Sequence, residues 1–139
     1  MLQRIQSVWL LLAAACAFLS LKFPFFSGNI TDSKNFTLFK DLNGLFNIPL
    51  LMLTLSVGII ALVCIFLYKN RTQQFRLTLI AIVLEVLLMV LYYSYSKDFV
   101  NGTFALTAIL QACVAFFLFL AAKGIRHDEK IVQDSNRLR

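Results

Sequence analysis

The stretch FRLTLIAIVLEVLLMVLYYSYS, residues 75–96, constrains this chain more than any other. It is a run of apolar residues with one carboxylic acid, Glu85, near its centre. A hydrocarbon core about 30 Å thick is crossed by about 20 helical residues, and this run is long enough. An acid at that depth is costly, so it needs a partner, a proton or a function. Similar runs occupy about 5–22, 46–68 and 103–122. The pattern predicts an all-α fold: an integral membrane four-helix bundle, antiparallel and up-down. Residues 1–139 then form one transmembrane domain that ends in a tail over 123–139.

Composition agrees. Charged residues make up 14% of the chain and mean hydropathy is +0.79, whereas soluble domains carry roughly 25% charged residues. Most of the surface is therefore expected to face lipid. A net charge of +6 invites a nucleic-acid reading. The basic residues sit instead in short segments between apolar runs, where they set membrane orientation. Nucleic acid is accordingly not an expected partner. Cys16, Cys64 and Cys113 lie inside apolar runs without CxxC spacing, and read as small packing residues rather than a disulfide or zinc framework. No cofactor or metal is expected.

The first run competes with a cleaved signal peptide, because Ala13-Ala14-Ala15 resembles a small-residue cleavage site. Cleavage there would leave an apolar core of only Val8 to Leu12, so a retained helix is preferred, with Trp9 as a headgroup anchor. A lipoprotein reading at Cys16 lacks the branched aliphatic residue expected at position 13. Residues 22–45 carry the turn formers Pro24, Gly28, Asn29, Asp32 and Gly44. They also carry many phenylalanines, so they read as a loop with its rings at headgroup depth, or alternatively as a lid over a cavity. Asn29, Asn35 and Asn101 each begin a glycosylation sequon. Residues 97–102 read as a tight turn.

In the 75–96 run, Thr78, Ile82, Glu85, Met89 and Tyr92 recur at helical steps and share one face. Gln111 lies about as far into the fourth run as Glu85 lies into the third. An antiparallel pair therefore brings both to mid-membrane, where a Glu85–Gln111 hydrogen bond satisfies each. That pair reads either as structural glue between membrane helices or as an ion-handling carboxylate.

Placing both ends of the chain on one side puts Arg4, Lys69, Arg71, Arg76, Lys123, Arg126, Lys130, Arg137 and Arg139 there, nine of the 13 basic residues. Lys22, Lys34, Lys40 and Lys97, the remaining four, fall on the other side. The excess predicts N-in, C-in topology.

Three segments carry a resemblance. The opening Met1-Leu2-Gln3-Arg4-Ile5-Gln6 is one. The connection Lys69-Asn70-Arg71 with Gln74 and Arg76 is the second. The third is Gly124-Ile125-Arg126 with Asp128-Glu129-Lys130 and the closing Arg137-Leu138-Arg139. Together they resemble the small four-helix membrane proteins of the Bacteroidetes group catalogued as domain of unknown function 4293. Leu2 and Asn136 depart from the usual Ile and Asp. The resemblance implies a bacterial inner-membrane protein with no assigned activity, which weakens the sequon reading. It transfers no catalytic residue.

All three segments fall on the inner face in the charge-derived topology. This favours a non-catalytic accessory or scaffold subunit that docks a partner through Arg4, Lys69, Arg71, Gln74, Arg76, Arg126, Asp128, Arg137 and Arg139. The alternative is a small transporter or ion-coupled subunit using Glu85 and Gln111. An enzyme is not expected, since no paired acids, Ser/His or metal-ligand arrangement is present. The expected partners are the lipid bilayer and a protein at the inner face, or a second copy of the chain.

Overall fold

The computed structural model describes residues 3–31, 37–67, 70–99 and 101–137, with side chains over 5–30, 38–67, 70–99 and 101–131. The elements are α1 Gln3–Leu19, β1 Phe26–Thr31, β2 Thr37–Leu42, α2 Ile48–Phe66, α3 Arg71–Ser96, β3 Asn101–Phe104 and α4 Ile109–Arg137. A short 3-10 turn, Leu106–Ala108, leads into α4. Three segments, Ile48–Phe66, Arg71–Ser96 and Leu106–Ile131, are long and apolar enough to cross a membrane, while α1 with 17 residues is shorter.

The helices pack in a ring, α1 against α4 and α2, and α3 against α2 and α4. Neighbours run antiparallel: Gln6 meets Asp128 while Trp9 stacks on Phe117, and Cys64 meets Gln74 while Thr54 meets Tyr92. Trp9, expected at the headgroups, thus packs on α4. The inner cluster is built from small residues, with Ala13, Ala14, Ala17, Ala61, Ala81 and Ala121 buried around Leu10, Val57 and Leu118. Small side chains let helices approach closely, which is the main source of attraction where the solvent is itself apolar. Two of the three alanines that resembled a cleavage site, Ala13 and Ala14, belong to this cluster, while Ala15 is exposed. Gly58 serves the same end, since a Cβ there would lie 3.0 Å from the Phe18 ring.

The helices do not make up the whole fold, and the all-α expectation is corrected by a small antiparallel sheet of order β2-β1-β3. β1 and β2 form a hairpin with Phe26 opposite Leu42 and Thr31 opposite Thr37. β3 pairs on the other edge of β1, Phe26 opposite Phe104 and Asn29 opposite Asn101. The segment read as a loop is thus largely strand among its described residues, and Asn101 and Gly102 of the expected tight turn belong to β3. Gly28 faces Gly102 where these strands cross, and a Cβ on Gly28 would lie 2.6 Å from the Asn101 carbonyl oxygen. Only glycine allows that approach.

The sheet closes one end of the helix ring. Phe26 and Leu42 are buried with Leu50, Leu88, Tyr92 and Phe99 in a second cluster. Phe25 stacks on Tyr92 at 4.8 Å, and Phe26 meets Phe99 edge-on at 5.3 Å. The Thr107 hydroxyl donates to the Pro24 carbonyl and ties the start of α4 to the same cap. The phenylalanines therefore divide. Phe25, Phe26 and Phe46 pack inward, while Phe39 stays 71% exposed.

Candidate functional site

Two polar sites are set into this apolar frame. The first lies on α3, whose buried stripe is Gln74, Thr78, Ala81, Glu85, Leu88 and Tyr92. The steps alternate between four and three, the spacing that keeps one helix face on its neighbours. Ile82 and Met89 were expected on that face and are half-buried at its margin. The structure brings Glu85 and Gln111 together: Gln111 Nε2 donates to Glu85 Oε1 at 2.5 Å. Glu85 is 1% exposed, and its Oε2 is a buried polar atom with no hydrogen-bond partner among the described residues. Tyr92 lies two turns further along α3, its hydroxyl hydrogen-bonded to Thr54 and within electrostatic range of Glu85. A carboxyl oxygen left open in this way can hold a proton or meet a cation. It is a poor arrangement for adhesion alone, because unpaired buried polar atoms cost stability.

The second site is the end of the ring away from the sheet. Here Gln6 Nε2 on α1 donates to Asp128 Oδ2 on α4 at 2.5 Å, in a buried contact. An Arg71 guanidinium nitrogen on α3 donates to the Asp128 backbone carbonyl at 3.0 Å, and the Thr72 hydroxyl donates to Glu129 at 3.1 Å. Gln74 Nε2 donates to the Cys64 carbonyl at 2.9 Å. That carbonyl belongs to the last turn of α2, where backbone acceptors have no partner within the helix. Gly124 leaves room for Gln6, since a Cβ there would lie 3.0 Å from Gln6 Cγ. These bonds connect α1 to α4, α4 to α3 and α3 to α2, so that one clasp holds all four helices.

The expected inner-face set is thereby divided. Gln74 and Asp128, expected at the docking face, are buried and bond within the clasp. Arg71 is half-buried and spends its donor on Asp128. Arg76 and Arg126 are exposed. Arg4 lies on α1 and Arg137 closes α4, but their side chains fall outside those described, and Lys69 and Arg139 fall outside the described residues altogether. Sequence reasoning missed Gln6 and Thr72 as partners. Gln6 had one signal: it sits within the opening string of the resemblance. The sequence reading used Lys123 and Lys130 for orientation alone and passed over His127, and with Arg126 these three rim a groove of about 480 Å³ between α3 and α4. Their spacing of three and four residues marks one helix face and was available to be read.

The three segments that carried the resemblance supply Gln6, Arg71, Gln74, Gly124, Asp128 and Glu129 to the clasp. No curated protein and no solved structure matches the chain. A family model does, over residues 2–138, and the chain belongs to the family described as Domain of unknown function (DUF4293).

Proposed function

We propose that the protein is a non-catalytic accessory or scaffold subunit of the bacterial inner membrane, crossing it four times with both ends inside and docking a partner protein at its basic inner face. The observation that carries this reading is the course of α4. It continues as one helix to Arg137, well past the end of its apolar stretch. Ile125 and Asp128 fix the extension to the other helices, while Arg126 and Lys130 remain exposed. A rigid, pinned and basic projection suits recognition better than a frayed tail, because little ordering entropy is lost on binding. The excess of basic residues on that side supports the orientation.

The test is charge reversal in the full chain, Arg76→Glu with Arg126→Glu, followed by affinity purification from native membranes in mild detergent. A partner that co-purifies with the parent chain and is lost from the variant, at equal abundance and orientation, supports docking. Recovery of the same proteins from both chains ends it. Removing residues 123–139 is a weaker test, because it also removes Ile125 and Asp128 from the helix ring.

The second reading is an ion-coupled subunit or small transporter, and the open Oε2 of Glu85 favours it. Proton or cation flux in proteoliposomes, abolished by Glu85→Gln, would support it. Equal flux with and without the protein would exclude it.

A further inference from the structure

The groove between α3 and α4 has two chemically different halves. Its floor is apolar, formed by Phe75, Leu79 and Ile82 from α3 facing Phe119 from α4. Its rim is basic, formed by Lys123, Arg126 and Lys130 with His127 beside them. On α4 the sequence of contacts is Phe119, Lys123, Arg126, Lys130, with steps of four, three and four along one face. On α3 it is Phe75, Leu79, Ile82, with steps of four and three. The antiparallel register, fixed by Thr72 on Glu129 at one end and Gln111 on Glu85 further in, sets Ile82 beside Phe119 and Phe75 beside the basic rim. From Phe119 to Lys130 the groove rises about 16 Å, from apolar depth to the level where the charges begin.

We propose that this groove holds one anionic phospholipid, its phosphate against Lys123, Arg126 and Lys130 and an acyl chain along Phe75, Leu79 and Phe119. Among the described residues, no acid is bonded to these cations. The two acids interleaved with them in sequence are engaged elsewhere, Asp128 by Gln6 and Glu129 by Thr72. A basic pocket between membrane helices at headgroup depth is suited to an anionic head group. The apolar floor distinguishes the groove from a site for free phosphate, which has no group to lie along Phe75, Leu79 and Phe119. A soluble peptide would have to reach down beside Ile82, inside the apolar span. The proposal rests on the membrane-embedded reading of the helices, and release of the chain from membranes by alkaline carbonate would overturn both.

The direct test is native mass spectrometry of the full chain in a neutral detergent, with phosphatidylglycerol and phosphatidylcholine added in equal amounts. One phosphatidylglycerol per chain is expected in preference to phosphatidylcholine, with retention falling as salt rises. The K123Q/R126Q/K130Q variant should bind phosphatidylglycerol roughly 100-fold more weakly, since each cation near the headgroups contributes a comparable increment. L79W fills the floor without altering charge and should weaken it roughly 10-fold. Equal retention of the two lipids would overturn the site, as would parent-like affinity in the triple variant. Displacement by glycerol 3-phosphate at equal concentration would show a soluble-anion site and overturn the lipid assignment. If circular dichroism shows the triple variant unfolded, L79W decides alone: loss of lipid supports the site, and unchanged retention ends it.

Discussion

Among the described residues two carboxylic acids are buried, each paired with a glutamine amide, yet the two pairs sit in different surroundings. Asp128, 7% exposed, receives Gln6 at the end of the helix ring, and Arg71 donates to its own backbone carbonyl. Glu85, 1% exposed, receives Gln111 midway along α3, and its second oxygen is left open. The chemistry of the pair is the same, and the neighbours differ. Around Asp128, donors from α1 and α3 converge on one short stretch of α4. Near Glu85 the polar groups among the described residues are Gln111 and the Tyr92 hydroxyl, itself bonded to Thr54. A satisfied network rigidifies what it joins, whereas a half-satisfied one is costly and calls for another explanation. The Asp128 pair therefore reads as architecture, and the Glu85 pair retains an unspent valence.

The sharpest way to break this contrast is to remove the amide from the first pair. Gln6→Leu leaves the Asp128 carboxylate buried without its donor, and should lower stability by about 1–3 kcal/mol. Thermal unfolding in detergent measures it. The double variant Gln6→Leu with Asp128→Leu should recover much of the loss, since replacing both partners with apolar groups avoids the unpaired charge. A cost for Gln6→Leu near zero would mean that water reaches Asp128 and that the clasp does not hold this end.

Gly124 allows the same pair to be disturbed without touching either polar group. A Cβ there meets Gln6 Cγ at 3.0 Å, the flexible part of a side chain that can move. Gly124→Val should therefore cost about 1 kcal/mol, the lower end for overpacking. The loss should shrink when combined with Gln6→Ala, because the two residues share one space. Strict additivity would show that Gly124 matters for helix geometry and not for seating Gln6.

The two sites were unequally legible in the sequence. Hydropathy located the long apolar helices, and counting inward along two antiparallel runs put Glu85 and Gln111 at one depth. Both inferences use local periodicity and length, which a sequence carries openly. The clasp does not yield to that method. Asp128 and Gln74 sit in polar segments, where exposure is the natural expectation; Gln74 bonds across the connection to the end of α2, and Asp128 meets partners on α1 and α3 that are remote in sequence. The sheet was hidden for a related reason. β1 finds its second neighbour, β3, far along the chain, and the pairing of Gly28 with Gly102 has no local signature. The phenylalanines beside Pro24 signalled an apolar environment without saying whether lipid or Tyr92 supplied it.

A smaller effect is expected at the inner pair. Gln111→Leu should cost about 0.6 kcal/mol and no more than about 1.7, the range for polar contacts between membrane helices. The Glu85→Leu/Gln111→Leu double variant should be close to neutral, since it removes both buried polar groups at once. A double-mutant cycle in one detergent compares this coupling directly with that of Gln6 and Asp128. If the inner coupling proved larger, the Glu85–Gln111 contact would displace the clasp as the main polar support of the fold.

Glu85→Gln should change stability least, because it exchanges one unpartnered buried polar atom for another. The shape is kept, and an amide oxygen still accepts the bond from Gln111. What the substitution removes is the ability to carry a proton or a charge at the open oxygen. That makes it a test of use rather than of folding. Unfolding temperature and activity in the living cell should be read on the same variant. A stable protein that has lost its function would place the work at Glu85, and the basic end would then serve to hold and orient it. A stable protein with full function would leave Glu85 a tolerated polar contact. The function would then lie at the exposed basic surface of α4, whose geometry the Asp128 clasp maintains.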